Sequence, residues 1–85
     1  MKKIILYTSA NCPKCPKAKE VLLQAVDELR LMEGVDYGIL CVDDVDVMLE
    51  ALRFQVVSTP AFLVEGEVRF KFRLPTVEEI KQAII

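Results

Sequence analysis

A change of hydrophobic period near the start of the chain constrains the fold more than any other feature. Lys3 to Tyr7 is a short aliphatic run bounded by the polar cluster Thr8-Ser9-Ala10-Asn11, the pattern of a buried strand. Beyond it Ala18, Val21, Leu22, Ala25, Val26 and Leu29 recur at three- and four-residue steps. Lys17, Lys19, Glu20, Asp27, Glu28 and Arg30 fall mostly opposite, so this segment reads as an amphipathic helix. Pro13 suits a first helical position, where a missing N–H costs nothing, and Pro16 is tolerated only in the first turn. The helix is therefore expected to begin at or just after Cys12, with Gly34 marking its end.

The remainder continues the alternation of strand and helix. Tyr37 to Val42 is a second aliphatic strand. Either Asp43 or Asp44 can cap a helix from about Val45 to Phe54, whose apolar line is Val45, Met48, Leu49 and Leu52. Ala61 to Val64 is a third strand, and Glu65-Gly66 is a two-residue turn. From Glu67 to Arg73 the chain alternates, with Val68, Phe70 and Phe72 against Arg69, Lys71 and Arg73, a strand with one dry face and one wet face. Thr76 and Glu79 have capping-box spacing ahead of a last helix that carries Val77, Ile80, Ala83 and Ile84 inward. The expected order is β-α-β-α-β-β-α. The first two strands are parallel through a right-handed crossover, and the last two form an antiparallel hairpin. A four-stranded mixed sheet with helices on both faces buries these stripes.

With 85 residues the chain is expected to form one domain, because two cores would each be too small to stand alone. A hydrophobic fraction of 53% excludes intrinsic disorder. A net charge of −2 leaves nucleic-acid binding without an electrostatic drive, and no apolar run approaches the ~18 residues of a membrane helix. The apolar run after Met1-Lys2-Lys3 stops at Tyr7, too short for an export signal, so a cytoplasmic, reducing location is expected. There, two cysteines close together point to catalysis or metal binding rather than a structural staple. The absence of histidine excludes His-assisted nucleophiles and metalloprotease motifs.

Cys12-Pro13-Lys14-Cys15 therefore carries the chemistry. The thiolate is the nucleophile, and a helix N-terminus favours an anion through free N–H groups and a partial positive charge. Lys14 adds a modest, well-screened cation. With Cys12 at that end and Cys15 one turn inside, Cys12 can attack a substrate disulfide and Cys15 can resolve the mixed disulfide. Thr59-Pro60 stands directly before the third strand, where proline is allowed. Were that bond cis, the Thr59 backbone would point outward beside the cysteines and could pair with an extended substrate segment.

Cys12-Pro13-Lys14-Cys15 after a strand, Thr59-Pro60 before the hairpin and the element order together resemble the thioredoxin/glutaredoxin superfamily over essentially the whole chain. Pro16 and Pro75-Thr76 make it most similar to the short, glutaredoxin-sized archaeal members. The resemblance implies a thioredoxin fold and a disulfide oxidoreductase. Cys12 is then the nucleophile, Cys15 the resolving cysteine, Pro13 and Lys14 the modulators of the pair, and Thr59 and cis-Pro60 the substrate contact. No cofactor is implied beyond the redox-active Cys12–Cys15 disulfide. The implied partners are disulfide-containing proteins and an electron donor, either a thioredoxin-reductase-like protein or a low-molecular-weight thiol. A monomer that binds neither nucleic acid nor membrane is expected. Larger thioredoxins usually place Trp where Asn11 stands, and a buried acid beneath the pair where this chain has Ile4, Ile5 and Leu6. Glutathione-using relatives carry paired glycines and an Asp where Arg73-Leu74-Pro75-Thr76 stands here.

The rival reading is a metal or iron–sulfur carrier, or a redox-inert adaptor on the same fold. Zinc wants four ligands, and one chain supplies only Cys12, Cys15 and the remote Cys41. Cys41, among Ile39, Leu40 and Val42, reads as a small buried hydrophobe. Asp43, Asp44 and Asp46 read as residues that start a helix. Arg69, Lys71 and Arg73 read as charge that protects an edge strand, and Phe62, Phe70 and Phe72 as core.

Overall fold

Alternation along the first strand divides the interior in two. In the computed structural model, which describes residues 2–70 and 74–85, β1 (Ile4–Thr8) is followed by α1 (Cys15–Glu28), β2 (Tyr37–Cys41), α2 (Val45–Arg53), β3 (Ala61–Val64), β4 (Glu67–Arg69) and α3 (Val77–Ile84). The order across the sheet is β2-β1-β3-β4. β1 and β2 are parallel, with Ile4 opposite Tyr37 and Thr8 opposite Cys41, while β1–β3 and β3–β4 are antiparallel. This is the expected mixed sheet and element order.

Ile4 and Leu6 of β1 point to one face, where they meet Phe62 and Val64 of β3, Ala18, Leu22, Ala25 and Val26 of α1, and Ile80, Ala83 and Ile84 of α3. Each large side chain buried this way contributes about 1.5–3 kcal/mol. Phe62 and Phe70 meet edge to face, with ring centroids 6.1 Å apart. Tyr7 points to the opposite face and packs with Ala51, Val56, Ala61 and Leu63. Its hydroxyl is fully buried and has no hydrogen-bond partner among the described residues. Burial, and secondarily the Glu50 carboxylate, push its pKa above the ordinary tyrosine value.

Local chemistry sets the element ends. Glu65 and Gly66 both have positive φ (50° and 81°), as a two-residue hairpin turn between right-twisted strands requires. The Thr76 hydroxyl accepts from Glu79 N–H at 3.2 Å while Thr76 N–H donates to Glu79 Oε1 at 3.0 Å, completing the capping box of α3. Lys81 on α3 ties that helix to α1 through Glu28, Nζ to Oε1 at 2.8 Å.

Three expectations need correction. α1 stops at Glu28, well before Gly34. Arg30 takes the left-handed conformation (φ 56°), Arg30 N–H donates to Asp27 O and Leu31 N–H to Val26 O, so a Schellman closure forms without glycine. The fourth strand is shorter than Glu67–Arg73. β4 ends at Arg69, and Phe70, at φ 57°, leaves the extended conformation. Lys71, Phe72 and Arg73 lie outside the described residues. Exposed Arg69 sits on the edge strand, with its guanidinium 5.7 Å from the centroid of the Phe70 ring.

The third correction concerns α2. Its apolar line faces solvent: Val45, Met48, Leu49 and Leu52 are 63%, 41%, 54% and 52% exposed, and Ala51 is the residue that is buried. The closure of the helix fixes this rotation. Gln55, at φ 64°, donates to Leu52 O, and Val56 N–H donates to Ala51 O at 2.9 Å. The chain thus folds back beneath the helix, carrying Val56 into the interior next to Ala51 and leaving the opposite side outward.

Candidate active site

β1 delivers the chain to its C-terminal end at Thr8, and the loop 9–14 turns it into α1. Cys12 lies in that loop and is half-buried. Cys15 is the first residue of α1 and only 5% exposed. The two are joined by a disulfide, with Cα atoms 5.3 Å apart. Pro13 and Lys14 between them are exposed.

The helix therefore begins at Cys15, not at or just after Cys12. The reason is Pro16. Started at Pro13, the helix would need an N–H from position 16 or soon after. Started at Cys15, Pro16 falls at N1 or N2, where none is required. Pro13 belongs to the preceding turn, in which Cys15 N–H donates to Cys12 O at 3.3 Å, while Ala18 N–H to Lys14 O at 3.0 Å is the first bond of the helix itself. Cys12 thus stands just ahead of the helix, off its positive end. No acidic side chain in the first turn of α1 competes for that field.

Three tethers hold the loop. Val42 N–H donates to Thr8 O at 2.8 Å, extending the β1–β2 ladder one residue past the end of β2. Ala10 N–H donates to Asp43 Oδ2 at 2.8 Å. The Ser9 and Thr59 hydroxyls share a hydrogen bond at 2.8 Å. Thr59 precedes Pro60 through a cis peptide bond, and both residues are half-buried. The structure thus connects the Cys12 loop with the Thr59-Pro60 turn, although 50 residues separate Ser9 from Thr59. Beside Thr59 an open groove of about 320 Å³ runs along Val42, Met48, Leu52, Val56 and Val57.

Ser9 and Asp43 are site residues that the sequence reading missed. Asp44 caps α2, its carboxylate accepting from Asp46 N–H at 2.9 Å and Val47 N–H at 3.4 Å. One helix needs one such cap, so the second of two adjacent acids was the available signal that Asp43 had another use. Cys41 corrects another expectation. It is an exposed free thiol, because β2 is an edge strand and Cys41 is its last residue. Among the described residues, no group of three or more His, Cys, Asp or Glu side chains is placed to hold a metal ion. No described helix is long and apolar enough to cross a membrane.

Comparison with known proteins agrees with this geometry. The family described as Thioredoxin domain matches residues 1–85. A thioredoxin from Methanocaldococcus jannaschii is 30% identical over 82 residues, covering 96% of this chain and 91% of that one. A probable thioredoxin from Methanothermobacter marburgensis is 34% identical over 85 residues, covering 96% and 91%. Among solved structures, the thioredoxin-like protein BC3987 superposes with a TM-score of 0.68 at 28% identity, covering 96% of this chain and all of that one.

Proposed function

The chain belongs to the thioredoxin domain family, and from that premise we propose that it reduces protein disulfides by thiol–disulfide exchange. One observation carries the reading: of two bridged sulfurs at the head of α1, Cys12 is reachable and Cys15 is buried.

In the reduced protein, Cys12 Sγ attacks one sulfur of a substrate disulfide. That S–S bond breaks, a Cys12–substrate disulfide forms, and the other substrate sulfur leaves as a thiolate that takes a proton from solvent. Cys15 then gives up its proton and attacks Cys12 Sγ. The Cys12–Cys15 disulfide closes and the second substrate thiolate departs. The substrate has gained two electrons and two protons, and the protein has become the bridged form. The division of labour follows from exposure, since a buried Cys15 reaches only the neighbouring sulfur. Pro13 keeps the turn tight, and Lys14 supplies a weak positive field. Thr59 and Pro60 border the approach to Cys12, where the groove beside Thr59 accepts apolar side chains of the substrate. No group beyond the two sulfurs is needed. A thioredoxin-reductase-like protein or a low-molecular-weight thiol restores the dithiol, and we place the reaction in the cytoplasm.

The test is reduction of insulin disulfides with dithiothreitol as donor. Wild type is expected to turn over, Cys12→Ser to be inactive, and Cys15→Ser to accumulate a covalent adduct through Cys12. Wild-type inactivity, or an adduct that forms equally well through Cys41, contradicts the proposal.

A further inference from the structure

α2 places its apolar stripe away from the body that carries it. Ala51 is 2% exposed and Val47 is half-buried, so these two define the inner side. Leu49, two residues from each, lies diametrically opposite on a helix of 3.6 residues per turn. Val45, Met48 and Leu52 flank it, and all four are exposed. Among the buried residues of α1 are Ala18, Leu22 and Val26, and of α3 Ile80 and Ile84, so the outward face of α2 is not a general property of the helices. A continuous exposed apolar face of this kind marks an interaction surface.

The charges beside the stripe name its occupant. Asp46 in the first turn and Arg53 in the last are both exposed. They are seven residues apart, two turns, so they share one flank of the stripe about 10 Å apart along the axis. Their midpoint falls beside Leu49. Glu50 lies farther round, toward the sheet. If a second α2 lies antiparallel across Leu49, a two-fold axis sets Asp46 of each copy against Arg53 of the other. The two helix dipoles then oppose head to tail. In a parallel two-fold arrangement the two flanks lie on opposite sides of the contact and no Asp46–Arg53 pair forms. The flank is self-complementary in the antiparallel dimer.

We propose that α2 is a self-association face. Two copies of this chain pack antiparallel through Val45, Met48, Leu49 and Leu52, registered by reciprocal Asp46–Arg53 pairs. This goes beyond the disulfide chemistry and does not rest on it, but Met48 and Leu52 also line the groove beside Thr59, so a second copy and a substrate compete for that surface. The dimer differs from the monomer expected from the sequence. A helix of nine residues offers a small contact, so the dimer is a reversible one that dissociates on dilution.

Sedimentation equilibrium from about 10 µM to about 1 mM tests it, with reductant present so that no disulfide through exposed Cys41 counts as association. Wild type is expected to shift from monomer to dimer across this range, and Leu49→Lys to remain monomeric throughout. Asp46→Lys and Arg53→Glu each replace two attractive contacts with two repulsive ones, so each alone is expected to associate about tenfold more weakly. Mixed together, these two variants restore both pairs, and the mixture is expected to associate at least as well as wild type. Circular dichroism establishes that each variant is folded. A wild type that stays monomeric overturns the proposal. So does a dimer indifferent to Leu49→Lys, or a mixture that associates no better than its components.

Discussion

The Ser9 hydroxyl meets the Thr59 hydroxyl at 2.8 Å, joining the loop that carries Cys12 to the turn that carries Pro60. Ser9→Ala removes the contact without adding bulk. Loss of one partly buried hydroxyl pair is expected to cost about 1 kcal/mol of stability. It should lower the rate of insulin reduction more than the rate with a small disulfide, because only the larger substrate spans both segments. Parallel rate measurements on the two substrates check this; equal losses would mean that the bond does not organise the site.

Tyr7→Phe is expected to stabilise the protein or leave it unchanged. The native hydroxyl is buried and unpartnered among the described residues, so its removal relieves a desolvation cost of about 1–3 kcal/mol. The pH dependence supplies a second signature. Because the folded-state pKa is raised, the unfolded chain loses its phenolic proton first, and stability falls as pH rises above about 10. Denaturant melts across that range should show a shallower alkaline decline for the variant than for wild type.

Lys81 bridges α3 to α1 through Glu28 and also contacts Glu78 at 3.2 Å. Hydrogen bonding to Lys81, then its charge, holds the Glu28 carboxyl below the ordinary glutamate range. The bridge therefore contributes stability above the unfolded glutamate value and loses it as pH falls through the lower folded one. Lys81→Met is expected to be less stable than wild type near neutral pH, and the two melting curves should converge in acid. A gap that persists in acid would assign the effect to packing.

The sheet and two of the helices were legible because their patterns are local. β1, β3, α1 and α3 each bury the stripe that their periodicity displays. The Glu65-Gly66 turn and the Thr76–Glu79 box follow from single residues with strong conformational preferences. The cysteine pair and Thr59-Pro60 were legible as motifs, and the structure brings their loops together. What sequence concealed was non-local. Arg30 adopts a left-handed closure usually given to glycine, so nothing in its identity announces where α1 ends. Whether a stripe faces in or out depends on how a helix is tethered, and α2 is held by Ala51 and Val56 with Leu49 outside. Asp43 was hidden behind Asp44, because identical side chains compete for one cap.

The two helix stripes yield a direct contrast. Leu22, fully buried in α1, is expected to cost about 2–5 kcal/mol on truncation to alanine. Leu49→Ala is expected to change stability by no more than about 0.5 kcal/mol, measured at low micromolar protein where self-association does not contribute. Comparable losses at both sites would place Leu49 in the interior.

The decisive measurement is the alkylation rate of the reduced protein against pH, made in a Cys41→Ser background because that exposed thiol would otherwise react in parallel. A single fast-reacting thiol is expected, mapped to Cys12, half-titrating clearly below the ordinary thiol value of about 8.5, with Cys15 protected by burial. Two cysteines reacting alike, with an unshifted profile, would contradict it.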